Sequence, residues 1–235
     1  MPGSAVAPQA SPAEARVGQR VLRRDDGRAP GCADAAVVVP EGVAPPAEIP
    51  ADMFAAAADA YLSGHRLDMQ SLARRIGVGR ATLYRRAGNR EQLLDEVIWW
   101  RARRMLVNRL SATAQLTGAA RIAAVVGGVL SAIEQDGPLR AFLESDQDAA
   151  IRILTGVRSR AAGGVAGALE RLIELERSRD AFQADLDAAT LAYVIMRISE
   201  GFLYADVLAD RTPDIGRAST VIEALLTGLD LAGRR

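Results

Sequence analysis

The sequence predicts an all-α protein. From residue 51 onward, apolar residues recur at spacings of three and four, the period of a helix with one buried face. Glycine-containing breaks such as Gly77, Gly88 and Asp136-Gly137-Pro138 divide these runs into segments of helical length. No segment alternates apolar and polar residues with the period of two that is typical of a half-buried strand. We therefore expect about nine or ten helices.

Charge is distributed unevenly along a chain that is neutral overall. The 235 residues include 29 acidic residues and 29 basic residues, and every basic residue is arginine. Residues 51–110 hold eleven arginines against six acids, a balance of +5, whereas residues 111–235 hold thirteen against seventeen, a balance of −4. Positive charge is thus concentrated in one quarter of the chain.

Residues 1–49 are predicted to form a disordered extension, because Pro, Ala and Gly dominate and few large apolar side chains are present. Its stretch GQRVLRRDDGR has two interpretations. It is a basic arm that enters a minor groove, or it is a solvated linker, because Asp25 and Asp26 offset Arg23 and Arg24.

The sequence favours a cytoplasmic protein without a membrane segment. Cys32 is the only cysteine and cannot form an internal disulfide, and no stretch resembles a signal peptide. The longest strongly apolar run, IAAVVGGVLSAI, has 12 residues, whereas a helix that crosses a bilayer needs about 20.

The first four helices are predicted from apolar spacing and from end signals. Asp68 is expected to cap the second helix and Gly77 to end it, while Asn89 is expected to cap the fourth. The third runs from about Arg80 to Arg86. The apolar positions of the first helix are Met53, Phe54, Ala57, Ala58, Tyr61 and Leu62.

Five or more helices follow in the remaining residues, each with an apolar face at helical spacing. Their apolar positions are Ile122, Val125, Val126, Val129 and Ile133; Ile151 and Leu154; Val165, Ala168, Leu169, Leu172 and Leu175; Leu191, Val194, Ile195, Ile198, Phe202 and Leu208; and Val221, Ile222, Leu225, Leu226 and Leu229.

The stretch SLARRIGVGRATLYRR, residues 71–86, fits a helix-turn-helix unit. Such a unit needs a small residue where the two helices cross, which Ala73 supplies, and a turn residue that tolerates positive φ, which Gly77 supplies. Leu72 and Leu83, with Ile76 and Val78, supply a shared apolar contact. An ordinary helical hairpin satisfies the same apolar pattern, so the turn alone is moderate evidence.

Residues 54–98 resemble the DNA-binding domain of TetR-family transcriptional repressors. The resemblance is carried by Gly77-Val78, Thr82-Leu83-Tyr84 and Asn89-Arg90-Glu91-Gln92-Leu93-Leu94 at the family spacing. It implies a helix-turn-helix DNA-binding domain at 50–97 and a larger helical domain for effector binding and dimerisation at 98–235. The run LAYVIMRISEGFLYADVLADRTPDIGRA also resembles regulators of quorum-sensing-signal degradation, a TetR subgroup that responds to lactone-like molecules.

The third helix is expected to contact DNA. A recognition helix directs its N-terminal residues at base edges in the major groove, and Tyr84 is placed to reach a phosphate. The resemblance implies that Arg90 and the amides that open the fourth helix also bind phosphate. The predicted DNA-binding residues are Gly79, Arg80, Ala81, Thr82, Tyr84, Arg85, Arg86, Asn89 and Arg90.

Three positions depart from the family pattern. Asp68 stands where the family usually has Thr, Gly79 replaces the usual Ser cap of the recognition helix, and Ala87 replaces an aromatic residue of the domain core. These departures bear on specificity and stability.

The C-terminal residues are expected to form an effector pocket and a dimer surface, partly on the resemblance. For the polar pocket residues, an ion pair within one helix at the surface is the alternative; for the dimer residues, packing within the monomer is the alternative. The predicted pocket residues are Val126, Leu130, Leu169, Tyr193, Arg197, Glu200 and Tyr204. The predicted dimer residues are Phe202, Leu208, Val221, Ile222, Leu225 and Leu229.

An enzyme is not expected. The only histidine, His65, lies next to a helix-ending glycine, and the only cysteine, Cys32, lies in the predicted extension, so neither a histidine-based triad nor a Cys/His metal site is expected. No metal or cofactor is predicted. The leading hypothesis is a homodimeric repressor that leaves a palindromic DNA operator when a small molecule binds. The alternative is a non-enzymatic helical interaction or carrier protein with a degenerate helix-turn-helix.

Overall fold

The computed structural model describes residue 46 and residues 48–156, 158–205 and 214–235, all within one compact unit. These residues form ten α-helices and one turn of π-helix and contain no strand, which confirms the all-α prediction. The helices are α1 (Ala51–Leu62), α2 (Met69–Ile76), α3 (Arg80–Ala87), α4 (Arg90–Ala112), α5 (Gly118–Glu134), α6 (Gly137–Ser145), α7 (Gln147–Thr155), α8 (Arg160–Ser178), α9 (Ala188–Glu200) and α10 (Ile215–Gly233); the π turn is Gly201–Ala205.

Side-chain caps fix the ends of α2 and α4, as the sequence predicts. The Oδ1 of Asp68 accepts the backbone N–H of Ser71 at 2.7 Å, and this bond lowers the pKa of the Asp68 carboxyl. Gly77 ends α2 in the left-handed region at φ 71°. Asn89 and Gln92 exchange bonds of 2.9 and 2.8 Å in a capping box that opens α4.

One hydrophobic cluster joins α1–α3 and the first half of α4 to α6 and α7. Phe54 of α1 meets Trp100 of α4 edge-on, with ring centroids 5.7 Å apart. Tyr61 of α1 meets Phe142 of α6 in the same manner at 6.2 Å. Helix α1 is therefore packed on α6 as well as on α4.

A second hydrophobic cluster lies among α5, α8, α9 and α10, where Ile122, Ile173 and Leu226 are fully buried. A carboxylate is buried in it. Glu176 of α8 accepts the backbone N–H of Gly118 and the Nη1 of Arg121, each at 2.7 Å, so the charge is compensated.

The N-terminus of α8 is fixed on α4 by one side chain. The carboxylate of Asp95 accepts the Oγ–H of Ser159 at 2.9 Å and the backbone N–H groups of Arg160 and Ala161 at 2.7 and 2.9 Å. Two backbone donors that a helix start leaves unpaired are thereby satisfied from a neighbouring helix.

The structure corrects one predicted helix and leaves other predictions untested. The helix predicted to carry Leu191 through Leu208 ends at Glu200, where the π turn begins. Leu208 and Cys32 lie outside the described residues, as does nearly all of the predicted extension at 1–49. The division into domains at 50–97 and 98–235 stays a prediction.

Candidate DNA-binding surface and effector cavity

Helix α3 presents one polar face to solvent and one apolar face to the protein. Leu83 and Ala87 are buried, whereas Arg80, Tyr84 and Arg85 are exposed, with 43% of Tyr84 accessible. Among the predicted DNA-binding residues, Gly79, Ala81, Arg86 and Asn89 are also exposed, and Thr82 is half-buried. One surface therefore brings these predicted residues together.

The arginines around the turn differ in what they contact. Arg75 of α2 pairs with Asp59 of α1 at 2.8 Å, and Arg74 donates to the Oγ of Ser71 at 3.3 Å. Within the described ranges, Arg80 and Arg86 form no salt bridge, so their guanidinium groups are free to meet phosphates or base edges.

Helix α3 begins at Gly79 without a side-chain acceptor for its first N–H groups. The backbone of Gly79 has φ −69° and ψ 146°, which any residue can adopt. A Cβ built there has no heavy atom within 4 Å. The weak cap expected from the sequence is thus confirmed, and the structure leaves room for a better one.

The side chain of Arg90 is bound to two other groups of the protein, and its role as a phosphate ligand stays a prediction. Its Nε donates to the backbone oxygen of Leu67 at 2.7 Å, and its Nη1 contacts Oδ2 of Asp146 at 2.5 Å. Asp146 precedes α7 but makes no side-chain cap bond to it. Arg90 instead joins α4 to the junction of α6 and α7.

A cavity of about 110 Å³ lies inside the larger helical part of the unit. A cavity needs about 10–15 Å³ to hold one water molecule, so this cavity has room for an organic molecule of moderate size. Its walls are almost entirely apolar and come chiefly from α4, α5, α8 and α9. Typical wall residues are Met105, Val129, Leu172 and Ile195.

Three ionisable side chains and one phenol interrupt this apolar wall: Arg101, Asp136, Glu200 and Tyr61. The Nε of Arg101 donates to Oδ2 of Asp136, whose Oδ1 also caps α6 by accepting the N–H of Leu139 at 3.2 Å. Burial raises the pKa of the Tyr61 hydroxyl, and the charge of Asp136 raises it further. Burial also raises the pKa of Glu200.

The predicted pocket residues divide into two groups. Val126, Leu130, Leu169 and Glu200 line the cavity. Arg197 and Tyr193 do not, because they occupy the outer face of α9: Arg197 pairs with Glu200 at 2.6 Å and lies over the Tyr193 ring, 5.3 Å from its centroid. The predicted alternative, an ion pair within one helix, is therefore what the structure shows.

Tyr204 also lies outside the cavity wall; it packs between the two hydrophobic clusters, where burial raises the pKa of its hydroxyl. Three polar wall residues, Tyr61, Arg101 and Asp136, were not predicted as pocket residues. Arg101 follows the apolar run Val97-Ile98-Trp99-Trp100, but Arg103 and Arg104 stand close to it in the sequence and gave no means to distinguish it. Asp136 was interpreted only as part of a helix break.

The predicted dimer residues on α10 point in different directions. Ile222 is 1% exposed and lies in the core of its own chain, which corrects its assignment to a dimer surface. Val221 is exposed, whereas Leu225 and Leu229 are half-buried and pack against that core, as does Phe202 in the π turn. Leu231, which was not predicted, is 60% exposed.

Two family profiles match the chain. "Bacterial regulatory proteins, tetR family" matches residues 64–97, and "Tetracyclin repressor-like, C-terminal domain" matches residues 117–227. Together they span more than half of the sequence, and the first includes α3 with its exposed face. The chain belongs to the TetR family. It is a ligand-responsive DNA-binding regulator of transcription. The alternative, a helical interaction or carrier protein, is not favoured. TetR-family regulators are generally not enzymes.

Solved structures of TetR-family members share the fold. The transcriptional repressor QsdR from R. erythropolis is 29% identical with a TM-score of 0.65, and the match covers 76% of this chain and 96% of that one. The fatty acid degradation regulator FadR from Bacillus halodurans is 18% identical with a TM-score of 0.51, over 75% and 97% of the two chains. The repressor AlkX from Dietzia sp. is 19% identical with a TM-score of 0.51, over 76% and 93%. No curated protein sequence matches the chain.

The described residues include neither a membrane-spanning helix nor a cluster of metal-binding side chains. No helix in that part of the chain is long and apolar enough to cross a membrane. Nor do three or more His, Cys, Asp or Glu residues there lie together as a metal site would require.

Proposed function

We propose that the protein is a cytoplasmic homodimeric repressor that binds a palindromic operator through α3 and leaves it when a small molecule enters the cavity. One observation carries the proposal: α4, which begins at Arg90 three residues after α3 ends at Ala87, also forms a wall of the cavity. A single rigid element thus connects the surface that meets DNA with the space that holds a ligand.

The DNA contacts follow from exposure and charge. Arg80 at the start of α3 is assigned to a guanine edge, for which its guanidinium offers a bidentate fork, while Arg85, Arg86 and the Tyr84 hydroxyl are assigned to phosphates. The open backbone N–H groups at Gly79 and the start of α4 add donors for phosphate oxygens. Arg90 is left out of this set because its side chain is bound to Asp146.

The test is a mobility-shift titration on DNA fragments flanking the coding region, against random DNA of equal length. Arg80→Ala should weaken specific binding and reduce the preference for the specific fragment, because a base contact is worth about 1–3 kcal/mol of discrimination. Tyr84→Phe should weaken binding to both DNAs alike. The exposed Arg171 of α8 provides the control, since Arg171→Ala removes the same charge away from α3. Equal losses for Arg80→Ala on both DNAs would remove its base-reading role.

The dimer surface is assigned to the outer faces of α9 and α10. Tyr193, Val221 and Leu231 are 61%, 41% and 60% exposed, an unusual set of large apolar side chains on adjacent helices. Gly228, between Val221 and Leu231, has open space where a Cβ would stand and permits close approach of a partner helix. Two heads related by a twofold axis then meet half-sites about 34–36 Å apart.

Light scattering of the purified chain tests this surface. Leu231→Glu should convert dimer to monomer and abolish the mobility shift, whereas Leu186→Glu, at a site exposed to 38% before α9, should leave both unchanged. A dimer that survives Leu231→Glu and Val221→Glu together would place the interface elsewhere.

The effector remains to be assigned by chemistry. The 29% identity with QsdR supports the narrower proposal of a lactone-responsive regulator of quorum-sensing-signal degradation. We expect an acyl lactone to release the bound operator fragment. A hydrocarbon of equal length should not release it.

A further inference from the structure

The α4 part of the cavity wall is long, and Arg101 lies near one end of it. That wall extends from Ile98 to Leu110, and at about 1.5 Å per residue this is a length of about 18 Å. Arg101 lies in the first turn of it, and Met105, Leu106 and Leu110 follow. A molecule that fills this space therefore needs an apolar body and a polar head at the Arg101 end.

The charged groups of the wall are already paired. Arg101 is bound to Asp136, and Glu200 is bound to Arg197, which approaches from the outer face of α9. A ligand carboxylate would lie near two acids without an unpaired cation to meet it. A ligand ammonium would have to displace an arginine from its carboxylate. Either charge would lose its hydration without a free partner, which is strongly unfavourable.

Among Arg101, Asp136 and Tyr61, the N–H and O–H donors outnumber the acceptors that are still free. Both oxygens of Asp136 already accept bonds, one from Arg101 and one from the N–H of Leu139. Arg101 has five N–H donors, of which the bond to Asp136 uses its Nε–H, and the phenol of Tyr61 carries another donor in the wall. The site thus matches a head group that accepts hydrogen bonds.

We propose that the cavity selects an uncharged, elongated amphiphile, whose carbonyl head accepts hydrogen bonds from Arg101 and Tyr61 and whose hydrocarbon chain lies along α4 toward Leu110. This inference rests on the proposed function only in taking the cavity as the effector site. Since Tyr61 belongs to α1, a bound head group touches a helix of the DNA-binding part directly.

The experiment compares three probes with one hydrocarbon chain and three head charges: octanamide, octanoate and octylammonium. Calorimetric titration of the full-length protein at pH 7 measures each Kd without DNA. We expect octanamide to bind at least tenfold more tightly than either charged probe. Tighter binding of octanoate or octylammonium overturns the proposal, and so does failure of the neutral amides at every chain length from six to twelve carbons.

Two matched variants test the position of the head group. Tyr61→Phe removes one hydroxyl from the cavity wall, and the loss of one hydrogen bond should weaken octanamide binding about three- to tenfold. Ser178→Ala removes one hydroxyl from the exposed end of α8, outside the cavity wall, and should leave the Kd unchanged. Circular dichroism checks that both variants are folded. An unchanged Kd for Tyr61→Phe overturns the assignment of Tyr61.

The outcome for the cavity and the outcome for the proposed function are separable. If octanamide binds as expected but operator fragments are neither bound nor released, the ligand class stands and the repressor function falls. If the protein binds and releases operator DNA but responds to octanoate rather than octanamide, the function stands and the ligand class falls.

Discussion

Two adjacent glycines of α8, Gly163 and Gly164, should respond in opposite directions to the same substitution. A Cβ at Gly163 would have no heavy atom within 4 Å, because this position faces solvent. A Cβ at Gly164 would lie 2.5–2.7 Å from three ring atoms of Trp99 on α4. Since contacts under 3 Å are not tolerated between carbon atoms, the ring or the helix has to move.

The magnitudes follow from two terms. Alanine in place of glycine inside a helix stabilises by about 0.8–1 kcal/mol, and this gain applies to both positions. Forcing an extra carbon into a packed contact costs about 1–3 kcal/mol and applies to Gly164 alone. Gly163→Ala should therefore raise the free energy of unfolding by about 1 kcal/mol. The free energy of unfolding of Gly164→Ala should be about 1–3 kcal/mol lower than that of Gly163→Ala.

Urea denaturation and thermal scans of the two variants measure the difference, which corresponds to about 2–4 °C in Tm for each kcal/mol. Trp99→Leu combined with Gly164→Ala should recover much of the lost stability, since the double mutant removes the contact. If Gly164→Ala is as stable as Gly163→Ala, the close approach of Trp99 does not limit the packing of α8 on α4, and the reasoning is wrong.

Three other substitutions test separate contacts. Gly79→Ser supplies the missing cap of α3 and should exceed Gly79→Ala in unfolding free energy by about 1 kcal/mol; equal values would show that the cap contributes nothing. Asp146→Asn releases Arg90 and should steepen the slope of log K against log salt for DNA by about one unit. The control Glu91→Gln breaks only the exposed pair with Arg152. If Asp146→Asn and Glu91→Gln give the same salt slope, Arg90 does not contact the phosphates. Glu176→Gln leaves Arg121 uncompensated in the core and should cost about 3 kcal/mol in a urea titration, whereas Glu174→Gln on the exposed face should be neutral.

The sequence predicted best where a local rule decides the structure. Asp68, Gly77 and Asn89 act at helix ends through bonds to residues three or four positions away, so their roles follow from spacing alone. Part of the exposed face of α3 follows from the same periodicity, because burying Leu83 and Ala87 turns Ala81 and Arg85 outward. Arg80 lies on the same side as Leu83 and is exposed because it is the first residue of the helix.

The sequence failed where two distant segments share a side chain. Arg90 has the family spacing of a phosphate ligand, but its partners are Leu67 and Asp146, which no local pattern connects. Arg197 and Glu200 lie one turn apart on α9, yet only Glu200 reaches the cavity, since the two side chains leave the helix in different directions. Periodicity predicts which side of a helix a residue occupies, but it does not predict which distant residues that side contacts.

Helix α6 explains how a ligand in the cavity can influence the DNA-binding surface. It has an aspartate at each end, and each aspartate is bound to an arginine of α4: Asp136 to Arg101, and Asp146 to Arg90. Arg101 lines the cavity, whereas Arg90 opens α4 beside α3. The proposed carbonyl head, which binds the remaining N–H groups of Arg101, would shift this side chain and, through its bond to Asp136, one end of α6. Because Tyr61 packs on Phe142 of α6, that shift would act on α1 as well.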